Sequence, residues 1–321
     1  MEFITKVSKR IWAVQNLAFM EAIRRKLLLF LIIFSVLFLF SGGGCTRGCI
    51  SMQKGAIEFQ KERRIAKIRE AQQLTEEQKK AQIEALEKAF KNTETREKTF
   101  TKSMLSAVTY TMIGFWLFLL SGIFTPFLAM NGFQNRTHVM ILARPVQRWE
   151  YLVGRFLAIM ALLLVNLLIM LLVAHGLMFA LSGDPGWHLL KGLGIFAMAL
   201  LTFTAMQMFL SLVVGRVPSL FLGIIIVGLG IMPAFSLLGA TTDQLSAGWR
   251  AFVYGAGYGL PQFSINFLYG LTEVAADLDM TRSLRKVGNN TGPLSPLLNL
   301  VWFIVFWAAS ITLLNRREIE T

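Results

Sequence analysis

Charged residues are scarce in this chain, at 16% of 321 positions, whereas a typical soluble domain has about 25%. Hydrophobic residues make up 55% of the sequence, and the mean hydropathy is +0.56. Several apolar runs reach about 20 residues, the length of helix that crosses a bilayer core of about 30 Å. This composition excludes a soluble globular protein and indicates a polytopic integral membrane protein.

The sequence also lacks the motif Gly-x-x-x-x-Gly-Lys-Ser/Thr, so we find no segment that would cradle the phosphates of ATP. The predicted spans after the first have no Asp, Glu, Lys or Arg in their interiors, which argues against an ion-coupled carrier. We interpret His175, Asn166 and Gln207 as hydrogen-bonding groups between helices rather than as ligands. We therefore expect no catalytic residue, no metal site and no cofactor in this chain.

Cysteine is rare as well: Cys45 and Cys49 are the two in the chain, too few for the usual four-ligand zinc site. We favour a disulfide between them over two free thiols, provided that their segment lies outside the cytoplasm. The N-terminus is superficially similar to a signal peptide. Gly42 stands where a lipoprotein cleavage site has a branched apolar residue, so we expect no cleavage there.

The net charge of +13 would suggest a nucleic-acid partner in a soluble chain. Here the basic residues flank apolar runs, where they meet anionic lipid head groups. No basic stripe is interleaved with aromatic residues in a polar domain. We therefore expect membrane lipid, and no nucleic acid, as the partner of these charges.

The apolar runs predict an all-α integral membrane protein with six transmembrane helices, an N-terminal amphipathic interfacial helix and an extracytoplasmic helical hairpin between the first and second spans. The predicted segments are the interfacial helix 1–26, span one 27–42, the hairpin 43–104, span two 105–130, a cytoplasmic coupling segment 131–152, span three 153–182, span four 190–214, span five 218–240, an extracytoplasmic interfacial or re-entrant region 241–292, span six 293–314 and a cytoplasmic tail 315–321.

The hairpin prediction depends on residues 51–103, which are rich in Lys, Glu, Gln and Ala and contain no proline. Thr75 and Gln78 form a plausible capping box, so we expect two helices that meet near Leu74. A run of charges like this one is usually a solvated face. A long insert that leaves the membrane also fits a docking arm for an extracytoplasmic partner.

Orientation is predicted from the distribution of Lys and Arg. A count over all segments favours termini outside, because the long hairpin holds many cations. The positive-inside rule applies to short loops and to residues near span ends, and there the count favours both termini in the cytoplasm. We predict a multi-pass protein of a bacterial inner membrane in that orientation.

The stretch "ILARPVQRWEYLVGRFL" (141–157) is a dense, mixed segment between two long apolar runs. A short helix parallel to the membrane could offer apolar side chains to a groove on a soluble partner and cations to acids on the rim of that groove. The apolar side chains are Val139, Ile141, Leu142 and Val146, and the cations are Arg136, Arg144 and Arg148. On the residues alone, a basic loop that only anchors topology is the more ordinary interpretation.

This stretch resembles the permease subunits of ABC exporters of the ABC-2 class. Their cytoplasmic segment between spans two and three has the form Leu-Leu-x-x-Pro-Val-x-Arg, followed by Gly-Lys. The matching positions are Leu142, Pro145, Val146, Arg148, Gly154 and Arg155. "GLPQF" (259–263) and "NRREIE" (315–320) are similar to two further pieces of the family, and the resemblance covers most of the chain except residues 51–103. In one departure, no acid occurs between Met130 and Arg148, where many members have a glutamate.

The resemblance implies a transmembrane permease subunit that pairs with itself or with a homologue. A separate cytoplasmic ABC ATPase dimer would bind ATP and Mg and would drive movement of a substrate across or out of the membrane. From the residues and the resemblance together, we predict that the ATPase contact consists of Val139, Ile141, Leu142, Arg144, Pro145, Val146, Arg148, Trp149 and Glu150. The alternative is a non-transporting anchor that relays ATPase motion to an extracytoplasmic partner through the 51–103 arm.

Overall fold

The computed structural model of the chain describes residues 2–24, 32–41, 76–134, 147–238, 263–274 and 295–316, with isolated positions between 29 and 68 and at 248 and 261. Every regular element in these ranges is an α-helix, which confirms the all-α prediction for them. The two cysteines, most of the first half of the hairpin, the segment 135–146, the loop 275–292 and the tail after Arg316 lie outside the described residues.

The helices in these ranges pack as a bundle in which most neighbours are far apart in sequence. They are α1 (Glu2–Arg24), α2 (Ile32–Ser41), α3 (Glu76–Gln134), α4 (Arg148–Ser182), α5 (Leu189–Val214), α6 (Arg216–Leu238), α7 (Phe263–Val274) and α8 (Ser295–Arg316).

Four stretches of helix within the described ranges are long and apolar enough to cross a membrane. They are Lys102–Ala129, Arg148–Ser182, Leu189–Val214 and Pro296–Arg316, and they coincide with the predicted spans two, three, four and six. The predicted spans one and five coincide with shorter apolar helices, Ile32–Ser41 and Arg216–Val227. The count of six spans therefore stays a prediction.

Helix α3 is longer than any element that the sequence predicted. It runs without a break for 59 residues and passes through both expected boundaries, at 104 and at 130. The reason is local: no glycine or proline occurs from Glu76 to Ile113, so nothing in that part of the sequence ends the helix. The second arm of the predicted hairpin and the second span are therefore one continuous helix of about 88 Å along its path, at 1.5 Å per residue.

Helix α5 lies at the centre of the bundle, in contact with α3, α6, α7 and α8. It runs parallel to α3, as shown by contacts that advance in the same direction along both helices. Ser106 meets His188 at one end, Phe118 packs edge-on against Phe203 further along, and Ser121 hydrogen-bonds to Thr204 beyond that. The apolar core sits between these two helices, α4 and α7.

Helix α7 belongs to the region 241–292 that the sequence predicted as interfacial or re-entrant. It packs against α3 and α5, and the Tyr110 hydroxyl donates a hydrogen bond to the Phe267 carbonyl oxygen (3.1 Å). Two glycines allow the close approach: a Cβ at Gly192 would lie 2.7 Å from the Gly270 carbonyl oxygen. The backbones of α5 and α7 are therefore in direct contact at this point.

Helix α2 is held to the bundle by a buried polar cluster. Asn166 exchanges hydrogen bonds with Ser35, at 3.0 Å from the amide nitrogen and 3.2 Å from the hydroxyl, and the Trp116 indole N–H donates to the same hydroxyl. Phe34 and Phe38 stack on Trp116. The interpretation of Asn166 as a group that bonds between helices is confirmed.

We expect Asn166→Leu to loosen α2, because it leaves the buried Ser35 hydroxyl with one partner fewer. Hydrogen bonds between membrane helices contribute about 0.6 to 2 kcal/mol each. In a double-mutant cycle of Asn166→Leu with Ser35→Ala, measured by unfolding in detergent, we expect a coupling free energy of about 1 kcal/mol. Purely additive effects would contradict this assignment of the Asn166 side chain.

Candidate functional site

The predicted ATPase contact lies only partly within the described residues. Its first part lies outside them: Val139, Ile141, Leu142, Arg144, Pro145 and Val146. Arg148, Trp149 and Glu150 form the first turn of α4. The role of the whole segment in binding an ATPase stays a prediction.

The start of α4 is fixed by its own side chains. Gln147 has an extended backbone (φ −71°, ψ 148°) and precedes the first helical residue. The Glu150 carboxylate accepts a hydrogen bond from the Gln147 backbone N–H (3.0 Å), and the Trp149 indole N–H donates to the Gln147 side-chain oxygen. A carboxylate in this position accepts a hydrogen bond from an N–H that has no partner within the helix, and it is stabilised by the positive end of the helix dipole. The chain therefore enters α4 in one defined direction.

Glu150 is fully buried, so it does not lie on a surface that an ATPase could contact in this conformation. Its Oε2 lies 3.6 Å from Nη1 of Arg10 in α1. Its Oε1 has no hydrogen-bond partner among the described residues. A buried carboxylate is costly unless it is paired, so Arg10 is the group that makes this position of Glu150 tenable.

A second ion pair joins α1 and α4 one turn further on. Arg155 has only 2% of its side chain exposed, and its Nη1 lies 3.2 Å from Oε2 of Glu21. The same guanidinium lies over the Tyr151 ring, 5.2 Å from the centroid. Between the two pairs the helices touch, since a Cβ at Gly154 would lie 2.7 Å from Cβ of Val14.

Arg148 connects this turn to the end of the last helix. Its Nη1 donates hydrogen bonds to the carbonyl oxygens of Leu314 (2.9 Å) and Asn315 (3.3 Å). The last carbonyls of a helix have no donor within the helix and carry its negative dipole end, which an arginine complements. Arg148 thus forms hydrogen bonds within this chain, to the end of α8.

These contacts bring five charged residues from two parts of the sequence, α1 and the start of α4, to the end of α8: Arg10, Glu21, Arg148, Glu150 and Arg155. We refer to this cluster as the junction. It fastens α1, α4 and α8 to one another directly after the segment 135–146. Among the described residues, no group of three or more His, Cys, Asp or Glu could hold a metal ion, and the arrangement is suited to mechanical connection.

Sequence reasoning missed the parts of the junction on α1. Arg10 and Glu21 were placed on an interfacial helix, and their partners were not predicted. A signal was present, because Glu21 is the single acid between Glu2 and Glu58 in a strongly basic region. A lone acid of this kind, together with Arg155 inside an apolar run, pointed to an ion pair between the two helices.

A family model described as "ABC-2 family transporter protein" matches residues 52–314, which is most of the chain. The chain belongs to the ABC-2 transporter family. No curated protein and no solved structure gives a significant match. The protein is therefore a multi-pass membrane component of an ABC transporter, of the permease type, and permeases of the ABC-2 family generally work with a cytoplasmic ATPase.

The extent of the match corrects one part of the sequence reading. Residues 51–103 appeared to be an insert outside the resemblance, but the ABC-2 match begins at residue 52 and includes them. Conversely, the match does not include α1 and α2, which the sequence reading had taken as part of the resemblance. The arm that continues into α3 is thus within the matched part of this ABC-2 protein.

The arm is fixed to the bundle where it joins the apolar part of α3. Nζ of Lys102 lies 3.7 Å from Oδ2 of Asp184, and the Ser106 hydroxyl lies 2.6 Å from Nε2 of His188. The backbone N–H of Gly186 donates to Asp184 and, with Lys102 and His188 nearby, holds the pKa of that carboxyl below its usual value. The carboxylate therefore stays charged, and the ion pair available, from neutral pH down past the ordinary pKa of aspartate.

His175 contacts the loop that joins α4 to α5 rather than a second helix. Its Nδ1 donates a hydrogen bond to the Pro185 carbonyl oxygen, and its ring lies 5.0 Å from that of Trp187. The partner thus belongs to the loop that follows the histidine's own helix. The prediction that His175 bonds across helices was wrong, whereas its interpretation as a hydrogen-bonding group agrees with this contact.

Proposed function

We propose that this chain is the permease subunit through which a separate ABC ATPase moves a substrate across or out of a bacterial inner membrane. The ATPase dimer binds the segment 131–152 on the cytoplasmic side and supplies the ATP and Mg²⁺ chemistry. A second permease, identical or homologous, completes the pathway. Closure of the ATPase on nucleotide moves the two bundles as rigid bodies.

The observation that carries this proposal is the junction. A loop that only anchored topology would need no fixed connection to the rest of the bundle. Here Arg148 and Glu150 at the end of the segment, and Arg155 just after it, join α1 through two ion pairs and α8 through hydrogen bonds to its last carbonyls. A displacement of the segment would reach these helices together.

The free energies of ion pairs favour a contact strong enough to transmit motion between α4 and α1. An exposed ion pair contributes about 0 to 1 kcal/mol, whereas removal of one partner from a buried pair costs about 3 to 5 kcal/mol. Glu150 and Arg155 are both buried, whereas their partners Arg10 and Glu21 keep 35% and 27% of their side chains exposed, so each pair lies between these two limits. A thrust on the first turn of α4 would therefore move α1 with it before it broke the contact between them.

A second candidate function has one specific observation in its favour. The described second part of the arm, residues 76–103, forms one helix with the spanning part of α3 and contacts the rest of the bundle at Lys102 and Ser106. About 39 Å of helix lies between residue 76 and residue 102. Such a rod suits a subunit that transmits ATPase motion to an extracytoplasmic partner without moving a substrate itself.

Affinity purification of the tagged protein from native membranes distinguishes both proposed functions, which need an ABC ATPase, from a carrier that works without one. We expect an ABC ATPase to co-purify. We also expect Arg144→Glu, in the segment 131–152, to reduce the amount of ATPase recovered at least tenfold. The matched control is Lys191→Glu, at the opposite end of the bundle, which should leave recovery unchanged. Purification without any ATPase would contradict the proposal.

Reconstitution then separates the two functions. ATP-dependent accumulation of candidate substrates in proteoliposomes is expected of a permease. Hydrolysis of ATP with no flux of any substrate, together with capture of a protein by the arm, would favour the relay instead.

A further inference from the structure

Two buried polar side chains lie at one level in the interior of the bundle. Helices α3 and α5 run parallel, and the Ser121 hydroxyl bonds to Thr204 across them (2.8 Å). One turn further along each helix are Thr125 and Gln207, and both are fully buried. The parallel direction of the helices therefore places these two side chains at the same depth.

Thr125 differs from several other buried hydroxyls among the described residues. Many of those hydroxyls donate to a carbonyl of their own helix, as Thr204 does to Leu200 and Ser211 to Met208. The Thr125 hydroxyl has no hydrogen-bond partner among the described residues. Both polar atoms of the Gln207 amide also lack a partner within the described ranges. A buried amide left in this way is costly, and an apolar residue of similar shape would avoid the cost.

Pro126 adds a third polar group at this depth. Proline has no N–H, so the carbonyl of Gly122, four residues earlier in α3, loses its usual helical donor. A carbonyl freed in this way is a strong acceptor that needs a partner. The side chains of Thr125 and Gln207 thus offer donors and acceptors that have no partner among the described residues, and the Gly122 carbonyl lacks its helical donor.

Gly223 of α6 determines where the Gln207 amide lies. A Cβ at Gly223 would overlap the amide nitrogen and lie 2.6 Å from its carbon. The absence of a side chain at this position is thus what admits the amide at this level.

The surroundings define the chemistry of a ligand. No Asp, Glu, Lys or Arg occurs in residues 103–129, 192–214 or 217–238, so an ion here would be uncompensated. We propose that Thr125, Gln207 and the Gly122 carbonyl form a binding site for an uncharged group that both donates and accepts hydrogen bonds, a hydroxyl or a carboxamide. Water is one source of such a group. The polar part of a transported molecule is the other, and that source rests on the proposed function.

Thiol labelling in membranes that contain the full complex tests the site. Thr125→Cys and Gln207→Cys are made in a background with Cys45→Ser and Cys49→Ser, and the probe is 2-aminoethyl methanethiosulfonate. This reagent attacks the thiolate, which forms only where water or another polar group reaches the sulfur. The controls are Leu128→Cys and Met206→Cys, whose native side chains are 1% and 0% exposed on the same two helices.

We expect both site cysteines to react at least tenfold faster than the two controls. Reaction without ATP identifies water as the occupant, and reaction that requires ATP identifies a site that opens during the transport cycle. Rates equal to those of the controls, with and without ATP, would overturn the proposal. Thr125→Cys is nearly isosteric, so it gives a result even if Gln207→Cys fails to fold. The labelling measured without ATP needs no ATPase, so it tests the site even if the proposed function is wrong.

Discussion

Glu21→Gln is expected to abolish most ATP-driven transport while the ATPase continues to hydrolyse ATP. The change removes the carboxylate that pairs with Arg155 (3.2 Å) and leaves a guanidinium with 2% exposure without its counter-ion. Loss of one partner of a buried pair costs about 3 kcal/mol. We expect a melting temperature several degrees lower and at least a tenfold fall in transport per ATP hydrolysed, measured in proteoliposomes.

The double variant Glu21→Gln/Arg155→Gln separates stability from coupling. It leaves no charge buried alone, so the melting temperature should recover most of the loss, while transport stays low because α1 and α4 remain unlinked. Lys9→Gln, at an exposed position of α1, should change neither quantity. Full transport by Glu21→Gln would show that the ion pair carries no motion.

Gly270→Ala is expected to be among the most destabilising single substitutions in the bundle. Its Cβ would overlap the Tyr110 hydroxyl and lie 2.8 Å from the Gly192 carbonyl oxygen. The Tyr110 ring is fully buried and its hydroxyl is bonded to Phe267, so it has no free space to enter. Overpacking of this kind costs about 1 to 3 kcal/mol, and the bond from Tyr110 is lost as well.

Gly194→Ala is the matched control, because nothing lies within 4 Å of a Cβ at that position of α5. It should be neutral or stabilising by up to about 1 kcal/mol, as expected for glycine to alanine in a helix. Combining Gly270→Ala with Tyr110→Phe should recover part of the loss, since the overlapping hydroxyl is removed. Equal melting temperatures for Gly270→Ala and Gly194→Ala would contradict the close contact of α5 with α7.

Much of the bundle was predictable because apolar run length reports directly on membrane helices. The limits of α4 and α5 followed within a few residues, since Gly183 and Gly215 end them with positive φ (69° and 89°). The continuity of α3 was harder to predict. A change from charged to apolar composition suggests a boundary, although the backbone has no reason to break where only the surroundings change.

Less of the site could be predicted. Sequence reasoning began the third span at residue 153, whereas α4 begins at Arg148, and Glu150 was expected to contact a partner but is buried against Arg10 instead. Pairings over more than a hundred residues follow from packing, which the local sequence does not specify. The Gly154 contact with Val14 likewise depends on where α1 docks.

The central claim is that the segment 131–152 faces the cytoplasm and couples the permease to an ATPase. It is tested most directly by the side of the membrane on which Gln147 lies. Gln147 is exposed at the start of α4, so Gln147→Cys in a cysteine-free background can be labelled with a membrane-impermeant maleimide. We predict no labelling in intact cells, full labelling after permeabilisation, and cross-linking to the co-purified ATPase. Trp187→Cys, at a position 65% exposed at the other end of the bundle, should label in intact cells. Labelling of Gln147→Cys in intact cells would contradict the proposed coupling to a cytoplasmic motor.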